Sequence, residues 1–227
     1  SGTQLGKDLA PRLAQRFGAG CVTDVTAIEK AGEGVEFVRP AYGGTVLERL
    51  AVSGPVQFAT VRSGSFAKPE AAEGSVEEKD APVAADALKA KVIDAAKEIA
   101  EAVDLEGAEV IVTGGRGMGN AENFKLVEEL AALLGGVVGA SRPAIEEGWP
   151  SRAHQVGQSG KIVAPKLYIA CGVSGAMQHV SGIMGSKYIV AINKDEAASI
   201  FDIADVGIVG DVKEILPLLI EEIKARK

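Results

Sequence analysis

The stretch AEVIVTGGRGMGNAENFKLVEELAALLGGVVGASRP, residues 108–143, decides the fold. It begins with an apolar run that ends in glycines, continues with an amphipathic helical pattern and returns to a second apolar run. Asn120 is placed to cap the start of the helix, and Gly135 follows its end. A strand, a helix and a strand joined by short turns predict a right-handed βαβ unit with parallel strands.

The remainder of the C-terminal half repeats this alternation. Apolar runs at 160–173 and 188–195 are separated by the loop and short helix SGAMQHVSGIMGS. A shorter strand within 201–211 leads into a closing amphipathic helix at 212–227. Strands that alternate with helices are typical of parallel sheets covered by helices. We therefore predict an α/β fold whose C-terminal part is a doubly wound parallel-sheet domain.

The first part of the chain has a different pattern. A helix is predicted over 7–18, where apolar residues recur at helical spacing. Short β-branched runs then follow, separated by Gly and Pro turns, and they predict a sheet with hairpin-like connections. The predicted strands lie within 21–25, 35–40, 45–52 and 56–62.

A change in composition marks the predicted domain boundary. The segment 68–87 is acidic, poor in apolar anchors and contains two prolines, which is typical of a solvated linker. A helix is predicted after it, over 87–103. We expect a partial N-terminal α/β domain over 1–103, which includes the linker, and a second domain over 104–227.

Composition argues against several classes of protein. The net charge of −7 is unlike that of a general nucleic-acid-binding protein, which carries a basic face. No apolar run approaches the roughly 20 residues that cross a bilayer, so we expect no membrane insertion. Cys21 and Cys171 lie far apart without metal-ligand spacing, which predicts free thiols, a reducing compartment and no metal site.

Polar or glycine-rich loops follow several predicted strands. Because ligands of doubly wound sheets lie at the carboxyl ends of the strands, we expect these loops to converge on one cleft. The loop GGRGMGN, 114–120, is suited to cradle a phosphate at a helix N-terminus, with Arg116 adding positive charge. The segment QVGQSGK, 155–161, is rich in donors and acceptors that suit a planar heterocycle.

Each of these residues also has a purely structural interpretation. The glycines of GGRGMGN relieve crowding in a tight turn, and Arg142 is a solvated charge or forms an ion pair. A lone histidine such as His179 is more often a structural residue than a ligand contact. Asn193 suits a turn, and Asp211 suits an N-cap worth roughly 1 kcal/mol. Their repetition at strand ends favours a nucleotide-like ligand.

These segments, in this order, resemble the alpha subunits of electron transfer flavoproteins. The resemblance covers essentially the whole chain and is densest over 114–211, where QVGQSG and SGAMQH are highly characteristic. It implies an electron carrier rather than an enzyme with its own substrate, with a C-terminal domain that binds FAD. It also implies a heterodimer with a beta subunit, flavin dehydrogenases as electron donors, and a quinone reductase or other membrane or soluble acceptor. The implied location is the cytoplasm, or the mitochondrial matrix in a eukaryote.

The resemblance further assigns contacts to FAD. Arg142 is expected beside the isoalloxazine ring, the Ser159 hydroxyl at the ring's N5, and His179 as a donor on the O2 side, and these three residues are expected to tune the flavin's redox chemistry. Arg116, Asn193 and Asp211 are expected near the adenosine and phosphate portion. The expected cofactor-binding residues are Arg116, Ser141, Arg142, Val156, Gly157, Gln158, Ser159, Ser174, Gly175, Ala176, Met177, Gln178, His179, Asn193 and Asp211.

The chain departs from the family pattern in three respects. Ser159 stands where threonine is common, which keeps the hydroxyl but loses χ1 stiffness. Pro143 stands where a small residue is usual, and we expect it to bias Arg142 toward an extended backbone. The sequence starts within the N-terminal domain of the family, so that its first part is expected to be missing.

Two other functions remain open at this stage. One is an NAD-dependent enzyme on a similar doubly wound sheet, although no GxGxxG fingerprint with a later acidic residue follows a strand. The other is a nucleotide-binding assembly module without a redox role.

Overall fold

An N-terminal part with two small sheets precedes a five-stranded sheet. The computed structural model describes residues 1–67, 70, 74–80 and 103–226. The predicted helix over 87–103 lies, up to position 102, outside these residues. The described positions of the predicted linker are exposed and belong to no helix or strand. No helix in the described part of the chain is long and apolar enough to cross a membrane.

The N-terminal part combines antiparallel and parallel pairing. Its elements are α1 (Gln4–Phe17), β1 (Gly20–Val25), β2 (Ala27–Ala31), β3 (Gly34–Ala41), β4 (Val46–Ala51) and β5 (Gln57–Val61). Strands β2, β3 and β4 form an antiparallel sheet, as the hairpin pattern predicts. Strands β1 and β5 instead pair in parallel beneath α1, so hairpin connections throughout this region were a wrong prediction. The three-stranded sheet is the crossover between them, and parallel strands require such a long connection.

The C-terminal part contains the predicted parallel sheet. Its strands are β6 (Val110–Gly114), β7 (Val137–Ala140), β8 (Leu167–Cys171), β9 (Ile189–Asn193) and β10 (Val206–Val209). All neighbouring strands pair in parallel, in the order β10-β9-β8-β6-β7. The chain starts at β6, moves to one edge at β7 and then returns past β6 to β8. The strand order therefore reverses between β6 and β8, where doubly wound folds bind their ligands.

Both faces of this sheet are covered, but by different structures. The helices are α2 (Ala121–Leu133), α3 (Arg142–Glu146), α4 (Met177–Val180) and α5 (Val212–Ala225). On one face α2 and α5 pack against a cluster that includes Val112 and Ile169. On the other face Ile111 and Tyr168 pack against Val163 and other residues of irregular segments. Successive strand residues point to opposite faces, which is why neighbouring positions on β6 and β8 belong to different clusters.

The two long C-terminal helices begin as the sequence predicts. The Asn120 side chain accepts a hydrogen bond from the Asn123 N–H at 2.8 Å, and the Asp211 side chain accepts one from the Lys213 N–H at 2.9 Å. Both caps satisfy backbone donors that have no partner within the helix. Gly135 follows α2 with φ of 64°, a conformation that favours glycine. The two predicted N-caps are therefore confirmed.

Two short segments differ from the prediction. The stretch 161–165 was expected to contribute to a strand, but it forms only an isolated bridge between Lys161 and Val156. Pro165 has no N–H with which to continue a ladder. The β3–β4 connection lies against α4, where Gly43, with φ of 72°, faces the Met177 side chain. This contact links the N-terminal part to the SGAMQH loop.

We expect Asn120→Ala to lower the free energy of unfolding by about 1 kcal/mol, because α2 loses the oxygen that accepts from the Asn123 N–H. Chemical denaturation of the protein measures this loss. Asn120→Ser keeps a capping oxygen and should retain most of the stability. Equal losses in both variants would contradict a capping role.

Candidate functional site

A cleft of about 790 Å³ lies at the carboxyl ends of the parallel strands. Residues one or two positions after β6, β7, β8, β9 and β10 all contribute to its walls. Its lining extends from Ser141, after β7 at one edge of the sheet, to Asp211, after β10 at the other. Four gaps between neighbouring strands separate these edges, which is roughly 19 Å at the usual strand spacing. The cleft therefore suits an elongated ligand.

Most of the residues expected to bind the cofactor are brought together in this cleft. Gly175 and Met177 do not line it. A Cβ at Gly175 would meet the Ile200 backbone nitrogen at 2.1 Å, so this glycine allows two loops to pack closely. Met177 is exposed and faces Gly43. The expected residues that do line the cleft are Arg116, Ser141, Arg142, Val156, Gly157, Gln158, Ser159, Ser174, Ala176, Gln178, His179, Asn193 and Asp211.

The cleft also contains residues that sequence reasoning missed. Several of them lie next to predicted site residues in the sequence, and extending each predicted loop by one or two residues would have included them. Ala197, Ala198 and Ser199 belong to a stretch without a recognisable motif, and only the fold brings them to the cleft. The missed lining residues are Gly117, Pro143, Gly172, Val173, Lys194, Asp195, Ala197, Ala198, Ser199 and Val212.

Glycines join the ends of β6 and β8 at the floor of the cleft. The Gly115 N–H donates to the Cys171 carbonyl at 2.8 Å, and the Gly117 N–H donates to the Gly172 carbonyl at 3.0 Å. A Cβ at Gly115 would lie 2.2 Å from the Gly172 carbonyl oxygen. Side chains are therefore excluded here, and Gly117 and Gly172 expose backbone to the ligand space.

The segment 155–161 bridges two strand ends. The Val156 N–H donates to the Ala140 carbonyl at 2.9 Å, and the Gln158 N–H donates to the Gln178 carbonyl at 2.7 Å. The Ser159 hydroxyl accepts from the Gln155 side-chain amide at 2.9 Å, so its own proton remains available. This segment is consequently held between the end of β7 and the SGAMQH loop.

Arg142 is an exposed residue at the edge of the cleft. Its Nε donates to the Glu146 carboxylate at 2.7 Å, one turn later in α3. The expectation that Pro143 would make its backbone extended is wrong, since Arg142 is the first residue of α3. Proline is tolerated in a first helical turn because its missing N–H would have no partner there. The preceding Ser141 is buried, and its N–H donates to the Gly114 carbonyl at 3.0 Å.

His179 provides a buried polar group at the cleft, with only 7% of its surface exposed. Its Nε2 lies 2.9 Å from the Tyr168 hydroxyl. Its Nδ1 has no hydrogen-bond partner among the described residues. Burial lowers the pKa of His179 to about 4, against a smaller opposing effect of the Val156 backbone. The imidazole is therefore neutral at pH 7 and donates from one nitrogen only.

Asn193 and Asp211 stabilise loops at the other edge of the cleft. The Asn193 amide donates to the Val173 carbonyl at 2.8 Å, and its oxygen accepts from the Asp195 N–H at 3.0 Å. The hydrogen bond from the Lys213 N–H, aided by the Lys213 side chain, lowers the pKa of Asp211. Both residues thus have a structural role in addition to their place in the cleft lining.

Two family models match the chain. The model of the electron transfer flavoprotein FAD-binding domain matches residues 104–184, and that of the electron transfer flavoprotein domain matches residues 1–86. The first match contains β6, β7, β8 and α4 and therefore includes the glycine floor, the bridging segment and His179. The cofactor of this chain is accordingly FAD.

The residues of the cleft fit this cofactor. The unpartnered Nδ1 of His179 suits a carbonyl of a flavin ring. At Gly157, with φ of 133°, a Cβ would lie 2.9 Å from the Gln178 carbonyl oxygen, so glycine lets the segment 155–161 pack closely against the SGAMQH loop. The Arg116 guanidinium suits an anionic pyrophosphate, whereas the expected cradle of backbone N–H groups is not free, because the Gly117 N–H already donates to the Gly172 carbonyl. The cleft thus combines a cationic side chain with a buried neutral donor.

Curated relatives are similar over nearly the whole chain. The protein named FixB of Clostridium saccharobutylicum is 47% identical over 227 residues, which cover 98% of this chain and 68% of that protein. The electron transfer flavoprotein subunit alpha of Bacillus subtilis is 46% identical over 225 residues, which cover 98% and 69%. That of Megasphaera elsdenii is 46% identical over 233 residues, which cover 99% and 69%. This chain therefore belongs to the family of electron transfer flavoprotein alpha subunits.

Proposed function

We propose that FAD lies along the cleft and that this chain works as the alpha subunit of a heterodimeric electron carrier. A beta subunit is its constant partner, flavin dehydrogenases supply electrons, and a quinone reductase or another acceptor removes them. The observation that carries this proposal is the single cleft across the carboxyl ends of all five parallel strands. We assign the carrier to the cytoplasm, or to the mitochondrial matrix in a eukaryote.

In this proposal, different residues of the cleft contact different parts of the cofactor. Bound FAD supplies the ability to accept and release electrons, and the protein sets how readily this happens. The segment 156–159 and the Ser159 hydroxyl contact the ring, while Ser174 and Gln178 contact the linking portion. Arg116, Asn193 and Asp211 hold the adenosine and phosphate portion. All of them line one continuous cleft, which supports this assignment.

Arg142 and His179 act on the ring by different physical means. Arg142 brings a full positive charge, which favours additional negative charge nearby, but its exposure lets water and salt screen the effect. His179 brings a neutral donor from a buried position, where a hydrogen bond is screened much less. Both effects stabilise electron density on the ring and raise its reduction potential.

The domain division predicted from composition is part of the proposal. We assign 1–103 to a partial N-terminal α/β domain and 104–227 to the FAD-binding domain. The glycine-floored sheet and every residue that lines the cleft belong to the second of these. The N-terminal part meets α4 through Gly43, so it contributes support to the SGAMQH loop rather than a ligand contact.

Purification of the protein tests the central assignment. We expect a yellow protein with a flavin absorption spectrum, or a colourless protein that regains this spectrum with added FAD. Bound FAD should also raise the thermal midpoint, because a ligand that binds only the folded state stabilises it. A folded protein that fails to bind FAD but binds NAD tightly would contradict the proposal and support a nicotinamide enzyme.

We expect Arg142→Ala to lower the reduction potential of bound FAD by on the order of tens of millivolts, because the ring loses a nearby positive charge. A spectroelectrochemical titration at low ionic strength measures the shift. Arg152→Ala is the matched control, since Arg152 is exposed and does not line the cleft.

A substitution of Glu146 should shift the reduction potential of bound FAD in the opposite direction. Its carboxylate pairs with Arg142 and offsets part of its charge. Glu146→Gln should therefore raise the potential, and the change should diminish at high salt. A potential that is unchanged in Arg142→Ala would rule out the tuning role.

We expect this chain to form a one-to-one complex with a beta subunit from the same organism. The N-terminal part exposes large apolar side chains, including Leu5, Phe17, Tyr42 and Leu47, and such surfaces commonly mark protein contacts. Size-exclusion chromatography with light scattering measures the assembly. Two proteins that elute separately while this chain retains FAD would contradict the subunit assignment but not the cofactor assignment.

A further inference from the structure

Tyr168 and His179 form a buried pair beneath the cleft. Tyr168 lies on β8 and has no exposed surface, and His179 lies on α4. The Tyr168 hydroxyl is 2.9 Å from Nε2 of His179, and the two rings are tilted by 55° at a centroid distance of 6.2 Å. Neither Tyr168 nor the neighbouring Thr113 lines the cleft. Tyr168 therefore acts on a ligand indirectly, and His179 is the cleft-lining residue that its hydroxyl contacts.

The surroundings of Tyr168 determine which partner carries the proton. Burial raises the pKa of Tyr168 far above its ordinary value, so the phenol keeps its proton. The buried Thr113 hydroxyl on β6 opposes this rise to a smaller extent, but it has no hydrogen-bond partner among the described residues. The phenol therefore has its one proton to donate, and Nε2 of His179, at 2.9 Å, is the acceptor within reach.

The surroundings of His179 also favour Tyr168 as the donor and Nε2 of His179 as the acceptor. Burial lowers the pKa of the ring, which is therefore neutral, and a neutral ring whose Nε2 accepts must carry its proton on Nδ1. The Val156 backbone opposes this lowering to a smaller extent. Nδ1 is the ring nitrogen that has no regular hydrogen bond among the described residues.

We propose that Tyr168 is a positioning residue that holds His179 in its Nδ1–H tautomer, so that the one N–H of this cleft-lining ring is already set on Nδ1 before FAD enters. The effect of this tautomer on FAD binding rests on the proposed function, whereas the tautomer itself is a property of the protein without FAD. The opposite tautomer would present a lone pair to a flavin carbonyl, and two acceptors repel each other. Tyr168 thus selects a carbonyl as the group that His179 recognises.

The chain contains an internal reference for the measurement. Its second histidine, His154, has its Nδ1 2.8 Å from the Val138 carbonyl oxygen. A carbonyl oxygen only accepts, so His154 must also carry a proton on Nδ1 when it is neutral. The two histidines should therefore show the same tautomer for different reasons, and only one of them depends on Tyr168.

Nitrogen-15 NMR of the imidazole rings tests the proposal, with the full chain recorded without and with FAD at neutral pH. We expect His179 in the Nδ1–H form, with its signal present before FAD is added. His154→Gln assigns the signals. A wild-type spectrum that shows His179 in the Nε2–H form, or as the charged ring, would overturn the proposal whether or not any other variant folds.

Tyr168→Phe removes the hydroxyl and keeps the ring. We expect His179 to shift toward the Nε2–H form while His154 stays unchanged, and FAD to bind roughly three- to tenfold more weakly. Tyr188→Phe, which removes a hydroxyl from a half-exposed residue beside β9, should change neither result. In a His179→Asn background, Tyr168→Phe should cause no further loss of FAD affinity.

The outcomes separate this inference from the proposed function. An unaltered His179 tautomer in folded Tyr168→Phe overturns the positioning role even if FAD binds normally. An equal loss of affinity in the His179→Asn background also overturns it, because Tyr168 would then act through packing. A chain that binds no FAD contradicts the proposed function, while the spectrum of the FAD-free protein still decides the tautomer.

Discussion

The contact on which the structure depends is the backbone packing between the ends of β6 and β8. Gly115 and Gly117 donate hydrogen bonds to the Cys171 and Gly172 carbonyls at distances that leave no room for a Cβ. This contact forms the floor of the cleft at the point where the strand order reverses. Glycine is required here by steric exclusion, whatever ligand is bound.

The two groups proposed to act on the ring, Arg142 and His179, differ in charge and in burial. Removing a cation from water is costly, and the positive charge of Arg142 is accordingly exposed and shared with Glu146. His179 is buried, and the same cost keeps it neutral. A buried neutral donor and an exposed charged group differ in their sensitivity to salt. The proposed tuning therefore needs no buried charge.

The sequence correctly predicted features that depend on residues close together in the chain. Asn120 and Asp211 cap helices because the acceptor and the backbone donor are two or three residues apart. The parallel sheet followed from the alternation of apolar runs and helical patterns. The parallel pairing of β1 with β5 could not be predicted, because the residue pattern of neither strand shows that a long crossover connects them. The backbone of Arg142 was misjudged because a first helical turn accepts the proline that follows it.

For the site, the sequence by itself determined which loops follow strands, and therefore that Arg116, Ser141, Ser174 and Asn193 share one edge of a parallel sheet. That result needs only the rule that the carboxyl ends of parallel strands point the same way. The tertiary structure alone decided that Met177 faces Gly43 instead of the cleft and that Ala198 joins its lining. It alone also placed the Tyr168 hydroxyl against His179 and left Nδ1 without a hydrogen-bond partner among the described residues. Hydrogen bonds between a strand and a distant helix depend on how the layers pack, and no local pattern encodes that distance.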